Sequence, residues 1–164
     1  MKLDTILVPF DFTECALHGL NYAAALARQY NATITLLNIV DGTVIKRIAS
    51  YAKEPVDNVS DRMTNQVKQM FRKFLKKWPE KELVKETIVS TGSPFHEIAI
   101  KAREHDVDMV VMGGYGSHGK GQLDEIFFGS TVEKVVRLLP CPVLCVPVEW
   151  SDVPETHENI SIIS

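Results

Sequence analysis

With 164 residues, 45% of them hydrophobic and 24% charged, the chain has the make-up of one globular domain long enough to bury a real core. A net charge of -3 argues against general binding to nucleic acid or an anionic membrane, and no apolar run reaches bilayer-spanning length. The opening MKLDTILVPFDF meets Asp4 and Asp11 too soon for a signal peptide, so a cytoplasmic location is expected.

Strand-like and helix-like segments alternate along the chain. Thr5–Pro9 (TILVP) reads as a buried strand, and Ala16, Leu20, Ala23, Ala27 and Tyr30 then recur at helical spacing. Residues 32–40 are rich in β-branched side chains and read as a second strand. The connection over 41–57 reads as a long loop. After it, Val59, Met63, Val67, Met70, Phe71, Phe74 and Trp78 mark an amphipathic helix that Pro79 ends. Residues 83–89 alternate only partly, as a third strand near a sheet edge would. Ser93-Pro94 marks a helix start, Ser as cap and Pro in the first turn, with Phe95, Ile98, Ala99 and Ala102 as the apolar stripe. Residues 107–112 form the fourth strand, Val132, Val135, Val136 and Leu139 line a last helix, and residues 143–148 make the fifth strand. The order predicts a single-domain α/β protein over residues 1–149, an open parallel five-stranded sheet with helices on both faces. Residues 150–164 turn polar and read as a tail. Ligands of such a sheet sit beyond the carboxyl ends of its strands, where the winding reverses. The candidate wall is therefore residues 10–13, Val40 and Asp41, and the loop after strand four. It closes only if strands one and four are neighbours.

That loop is the most distinctive part of the chain. Gly113, Gly114, Gly116, Gly119 and Gly121 crowd together directly after strand four, and Gly129-Ser130-Thr131 opens the last helix. Glycines let backbone amides approach a ligand closely, and a helix start at Ser130 aims unpaired N–H groups at the same space. The combination suits phosphate. Two familiar phosphate motifs fail. A dinucleotide fold would carry Gly-x-Gly-x-x-Gly after strand one, where Pro9-Phe10-Asp11-Phe12-Thr13 has no glycine. Gly114 to Lys120 approaches a P-loop, but Gly121 stands where a metal-binding hydroxyl is required.

A third pattern fits. Gly116-x-x-Gly119, nine residues, then Gly129-Ser130 matches Gly-2x-Gly-9x-Gly-Ser/Thr, the signature of the ATP-binding type of universal stress protein, and the chain resembles that family. ILVPFDFTE is similar to its first strand and acidic turn, DVDMVVMG to its fourth strand, and GSTVEKVVRLLPCPVLCVP to its final helix and strand. The likeness runs from Lys2 to Val148. One departure is visible. Met112-Gly113-Gly114-Tyr115-Gly116 offers a second phase, Gly113-x-x-Gly116, followed by twelve residues before Gly129.

The resemblance implies a Rossmann-like fold of the adenine nucleotide alpha hydrolase type, and binding of ATP with Mg2+ held through the phosphates. Carried onto this chain, Pro9, Phe10 and Asp11 line the adenosine pocket, with Asp11 on the ribose or base, and Val40 and Met112 pack on the adenine. Gly113, Gly116 and Gly119 bring backbone to the phosphates, while Gly129, Ser130 and Thr131 donate to them. The resemblance also implies a homodimer, which pairing of strand five would satisfy; Pro142 and Pro147 limit that pairing. Structural alternatives stand beside these roles. Ser130 and Glu133 form a capping box, Asp11 could cap the first helix near Thr13, and Val40 and Met112 could be core residues only. His118 and Lys120 fit a solvated loop as well as a phosphate. The cations Arg62, Lys68, Arg72, Lys73, Lys76 and Lys77 read as a solvated helix face. Cys15, Cys141 and Cys145 make no disulfide framework and read as buried free thiols, with Cys141 and Cys145 on one side of the last strand. No catalytic set is recognisable. A regulatory ATP-binding module with little turnover is expected, against a slow ATP-hydrolysing or phosphoryl-transferring enzyme and a dimeric scaffold that binds no nucleotide.

Overall fold

Five parallel strands form one sheet in the computed structural model, which describes residues 2–114, 134, 135, 137, 138 and 141–147. The elements run β1 (Thr5–Pro9), α1 (Glu14–Tyr30), β2 (Thr33–Asp41), α2 (Gly42–Ala52), α3 (Val56–Lys77), a 3-10 turn (Lys81–Leu83), β3 (Val84–Gly92), α4 (Pro94–Glu104), β4 (Met109–Gly113) and β5 (Val143–Val146). Residues 134, 135, 137 and 138 are helical, inside the stretch where spacing predicts the last helix. The sheet order is β3-β2-β1-β4-β5, so β1 and β4 are neighbours and the winding reverses between them. Partial alternation in β3 is explained by its edge position, and β5 holds the opposite edge.

Side-chain parity divides the core. Ile6, Val8, Ile34, Leu36, Val111 and Val146 face α1 and the aromatic stripe of Phe71, Phe74 and Trp78. Leu7, Leu37, Val110 and Met112 face α4 and Val135 on the other side. Both faces of a parallel sheet must be covered, which is why its strands read as near-continuous apolar runs. Asp108 pins the amino edge: its carboxylate accepts from Asp4 N–H at 2.8 Å and Thr5 N–H at 2.9 Å.

At the carboxyl edge α1 comes against β4 backbone to backbone. A methyl group built on Gly19 would lie 2.8 Å from the Gly113 nitrogen and 3.1 Å from the Met112 carbonyl carbon. One built on Gly113 would overlap the Cys15 carbonyl oxygen. Neither neighbour is a side chain that could swing aside, so glycine at both positions is a steric requirement.

Three expectations need correction. The 41–57 connection is not a loop: Asp41 ends β2 and caps α2 at once, its carboxylate accepting from Thr43 N–H at 2.7 Å. Ile45 and Ala49 of α2 then bury Val40 together with Val59. Met70 leaves the α3 stripe and is exposed, while the cations of that helix are solvated as expected. Ser93 holds the cap position of α4, but its hydroxyl makes no capping hydrogen bond; Pro94 in the first turn removes one donor that would need one.

Cys15, Cys141 and Cys145 form no disulfide among the described residues and are half-buried rather than buried. Cys141 and Cys145 pack on the same core cluster, as their spacing requires. Burial pushes both thiols up, and the Asp108 carboxylate adds to the rise at Cys141. Because only the thiolate reacts, alkylation of Cys141 and Cys145 by iodoacetamide should rise at a higher pH in the folded protein than in urea, as resolved by peptide mass spectrometry. Coincident pH profiles would contradict this. The glycine contact gives a second expectation. Alanine at a helix interior normally adds about 1 kcal/mol over glycine, yet Gly19→Ala should lower stability by about 1–3 kcal/mol in urea denaturation, because overpacking dominates. A more stable Gly19→Ala protein would rule out the close approach.

Candidate functional site

The carboxyl ends of β1, β2 and β4 converge where the winding reverses, and three short segments define the opening: residues 10–13, residues 38–41 and residues 112–114.

The first segment is a tightly fixed turn. Phe10 N–H donates to the Leu37 carbonyl at 2.7 Å, and Asn38 Nδ2 donates to the Phe10 carbonyl at 2.8 Å. The Phe10 ring is 1% exposed, against Phe12, Phe71 and Phe74. Phe10 therefore fixes the turn from the core, with its ring away from solvent. Phe12 follows with φ 65°, a left-handed conformation that costs a non-glycine residue about 1–2 kcal/mol. Ring packing on Phe10 at 5.1 Å and Phe71 at 5.0 Å offsets that cost. The reversal at Phe12 brings Thr13 back onto Asp11, whose Oδ1 accepts from both the Thr13 amide and its hydroxyl. Thr13, not Asp11, is the cap of α1, accepting from Ala16 N–H at 3.2 Å. Asp11 buttresses that cap from an exposed position.

The second segment is set by the phase of β2. Along a strand the N–H and C=O of one residue share a side, and successive residues alternate. Thr33 N–H and the Leu37 carbonyl both bond toward β1. Odd-numbered residues of β2 thus face β1, and Val40 faces β3, in register with Thr91. The β1 ladder stops at Pro9 opposite Leu37, while β2 runs four residues further. Ile39, not Val40, consequently turns its N–H and C=O toward the opening. The strand alternation needed to see this is present in the sequence, but its phase is not. Val40 and Met112 are 5% and 6% exposed, covered on opposite faces by α2 and by α4 respectively.

The third segment ends β4. Met112 pairs with Cys145 and Gly113 with Val146, and Gly114 N–H donates to the Val146 carbonyl at 2.7 Å. Gly113 lies against the first turn of α1, so the start of that helix borders the opening as well. Gly116, Gly119, Gly129, Ser130 and Thr131, with His118, Lys120 and Glu133, lie outside the described residues. Pro9, Phe10, Asp11, Val40, Met112 and Gly113 are thus brought to one end of the sheet. Among the described residues no cluster of three His, Cys, Asp or Glu could hold a metal ion, and no helix is long and apolar enough to cross a membrane.

Comparison with known proteins agrees with this architecture. The sequence profile described as "Universal stress protein family" matches residues 2–147. Universal stress protein YxiE of Bacillus subtilis is 32% identical over 147 residues, covering 86% of this chain and 97% of YxiE. Universal stress protein MJ0577 of Methanocaldococcus jannaschii is 28% identical over 153 residues, covering 86% of this chain and 93% of MJ0577. The solved MJ0577 structure superposes with a TM-score of 0.72, covering 90% of this chain and 97% of that one. Universal stress protein UspA from Lactobacillus plantarum shares the fold at a TM-score of 0.63 and 24% identity, covering 89% of this chain and 99% of its own.

Proposed function

The chain belongs to the universal stress protein family, and on that premise we propose that it is a regulatory module that binds ATP, with Mg2+ held through the phosphates and little or no turnover. The observation that carries this reading is the backbone of Ile39, which no hydrogen bond among the described residues joins to the β1 side, beside the Asp11 turn at the end of the sheet where the winding reverses. One residue presenting a donor and an acceptor to the same side complements the adenine edge, which offers an acceptor at N1 and a donor at N6. Guanine offers the opposite pair there, a donor at N1 and an acceptor at O6. Pro9 offers apolar surface to the base at the end of β1, and Val40 and Met112 back the site from the two faces of the sheet. Asp11 Oδ2 is left to meet a ribose hydroxyl, since Oδ1 is occupied by Thr13. Phosphates extend from there toward Gly113 and the glycine motif of Gly116, Gly119, Gly129, Ser130 and Thr131, whose composition suits an anion. Mg2+ needs few protein ligands when phosphates supply its oxygens. A second copy pairs along β5, which occupies a sheet edge.

Calorimetry should show ATP-Mg binding in the micromolar range, with GTP weaker by at least about tenfold because its donor and acceptor are exchanged. Gly129→Glu, which brings a negative charge to the anion site, should abolish binding at unchanged thermal stability. No heat at millimolar ATP would eliminate the reading and favour a scaffold without nucleotide; rapid release of phosphate or AMP would favour an enzyme. Light scattering should give a dimer at micromolar concentration, and a monomer would remove the β5 interface.

A further inference from the structure

We propose that Asn38 is a positioning residue that keeps the Ile39 amide open for the ligand, an inference that rests on the nucleotide-binding reading above. The β1–β2 ladder fixes what should happen next to its last pair. Thr33 N–H donates to the Asp4 carbonyl, an offset of 33 − 4 = 29 residues. Continuing at that offset, Ile39 N–H would meet the carbonyl of residue 39 − 29 = 10. That carbonyl accepts from Asn38 Nδ2 at 2.8 Å instead, and among the described residues no hydrogen bond joins it to the Ile39 amide. The side chain of one residue has replaced the backbone donor of the next.

The residue type supports this assignment. Asn is disfavoured in strands and costly to bury unless its amide is paired. Asn38 is nevertheless 8% exposed on a strand whose neighbours Leu36, Leu37 and Val40 are all apolar. It is one of two buried polar residues among those described, the other being Thr35 of the same strand. An apolar side chain at 38 would leave the Phe10 carbonyl to the Ile39 amide and extend the ladder by one bond. Asn38 prevents that closure while holding the turn in place. Phe10 remains tied to β2 at its amide, so the turn carrying Asp11 keeps its position and the Ile39 donor stays available.

Backbone amide exchange read by NMR on the nucleotide-free protein tests the proposal without depending on binding. In the wild-type protein the Ile39 amide should exchange at least about tenfold faster than the ladder-bonded Leu37 amide. In Asn38→Leu, which is similar in size and lacks the donor, Ile39 should become as protected as Leu37. ATP-Mg affinity in that variant should fall about tenfold, the loss of one buried hydrogen bond. A merely structural role for Asn38 would speed exchange around it and could not protect Ile39. Equal protection of Ile39 and Leu37 in the wild type overturns the proposal, even should the variant fail to fold. Wild-type ATP binding with affinity and exchange unchanged in Asn38→Leu overturns it while leaving the nucleotide reading intact. A wild-type protein that takes up no ATP overturns that reading, and the proposal with it.

Discussion

The distance between α1 and the end of β4 governs the carboxyl edge of this protein. Gly19 and Gly113 let a helix backbone rest on a strand backbone, with no side chain between them. That approach brings the first turn of α1, the turn after β1 and the last residues of β4 into one small region. At the opposite edge, Asp108 ties the start of β1 to the start of β4 through two amide hydrogen bonds. β1 and β4 are thus tied at one end of their seam, and at the other α1 rests on the end of β4. The sheet order then places the reversal of winding at that seam, where an α/β sheet can accept a ligand.

Around the seam the backbone does most of the chemistry. The segment from Phe10 to Thr13 spends conformational energy on a left-handed phenylalanine, and the aromatic cluster with Phe71 and Phe74 offsets it. The result is an exposed carboxylate held by two hydrogen bonds rather than a mobile one. Beside it, β2 outruns β1, and among the described residues no backbone hydrogen bond meets Ile39 on that side. Preorganised groups of this kind lose little entropy on binding.

Much of this could be read from the residues. β-Branched runs located the strands, the weak alternation of β3 marked an edge, and the need for β1 beside β4 followed from where the candidate residues fell. α2 was hidden because it begins without any break: Asp41 is both the last residue of the strand and the helix cap. Its first residues, Gly42, Thr43, Val44 and Ile45, have poor helix propensity, and its buried face is short, set by Ile45 and Ala49. The choice between Val40 and Ile39 depends on strand phase, which is fixed by a register with β1 that no local pattern encodes. Likewise, the glycines at 19 and 113 look like ordinary helix and loop residues until the two segments are brought together. Asn38 stood in an apolar strand as a visible anomaly, but its meaning depends on the direction of the Phe10 carbonyl.

The proposed entry of an adenine nucleotide at the seam between β1 and β4 is open to direct test. The most direct measurement is titration of the isotope-labelled protein with ATP-Mg, followed by backbone amide chemical shifts. The largest changes should fall at Asp11, Thr13, Ile39, Met112 and Gly113, around the carboxyl ends of the strands. Changes confined to the amino edge near Asp4 and Asp108, or no change at millimolar nucleotide, would contradict it.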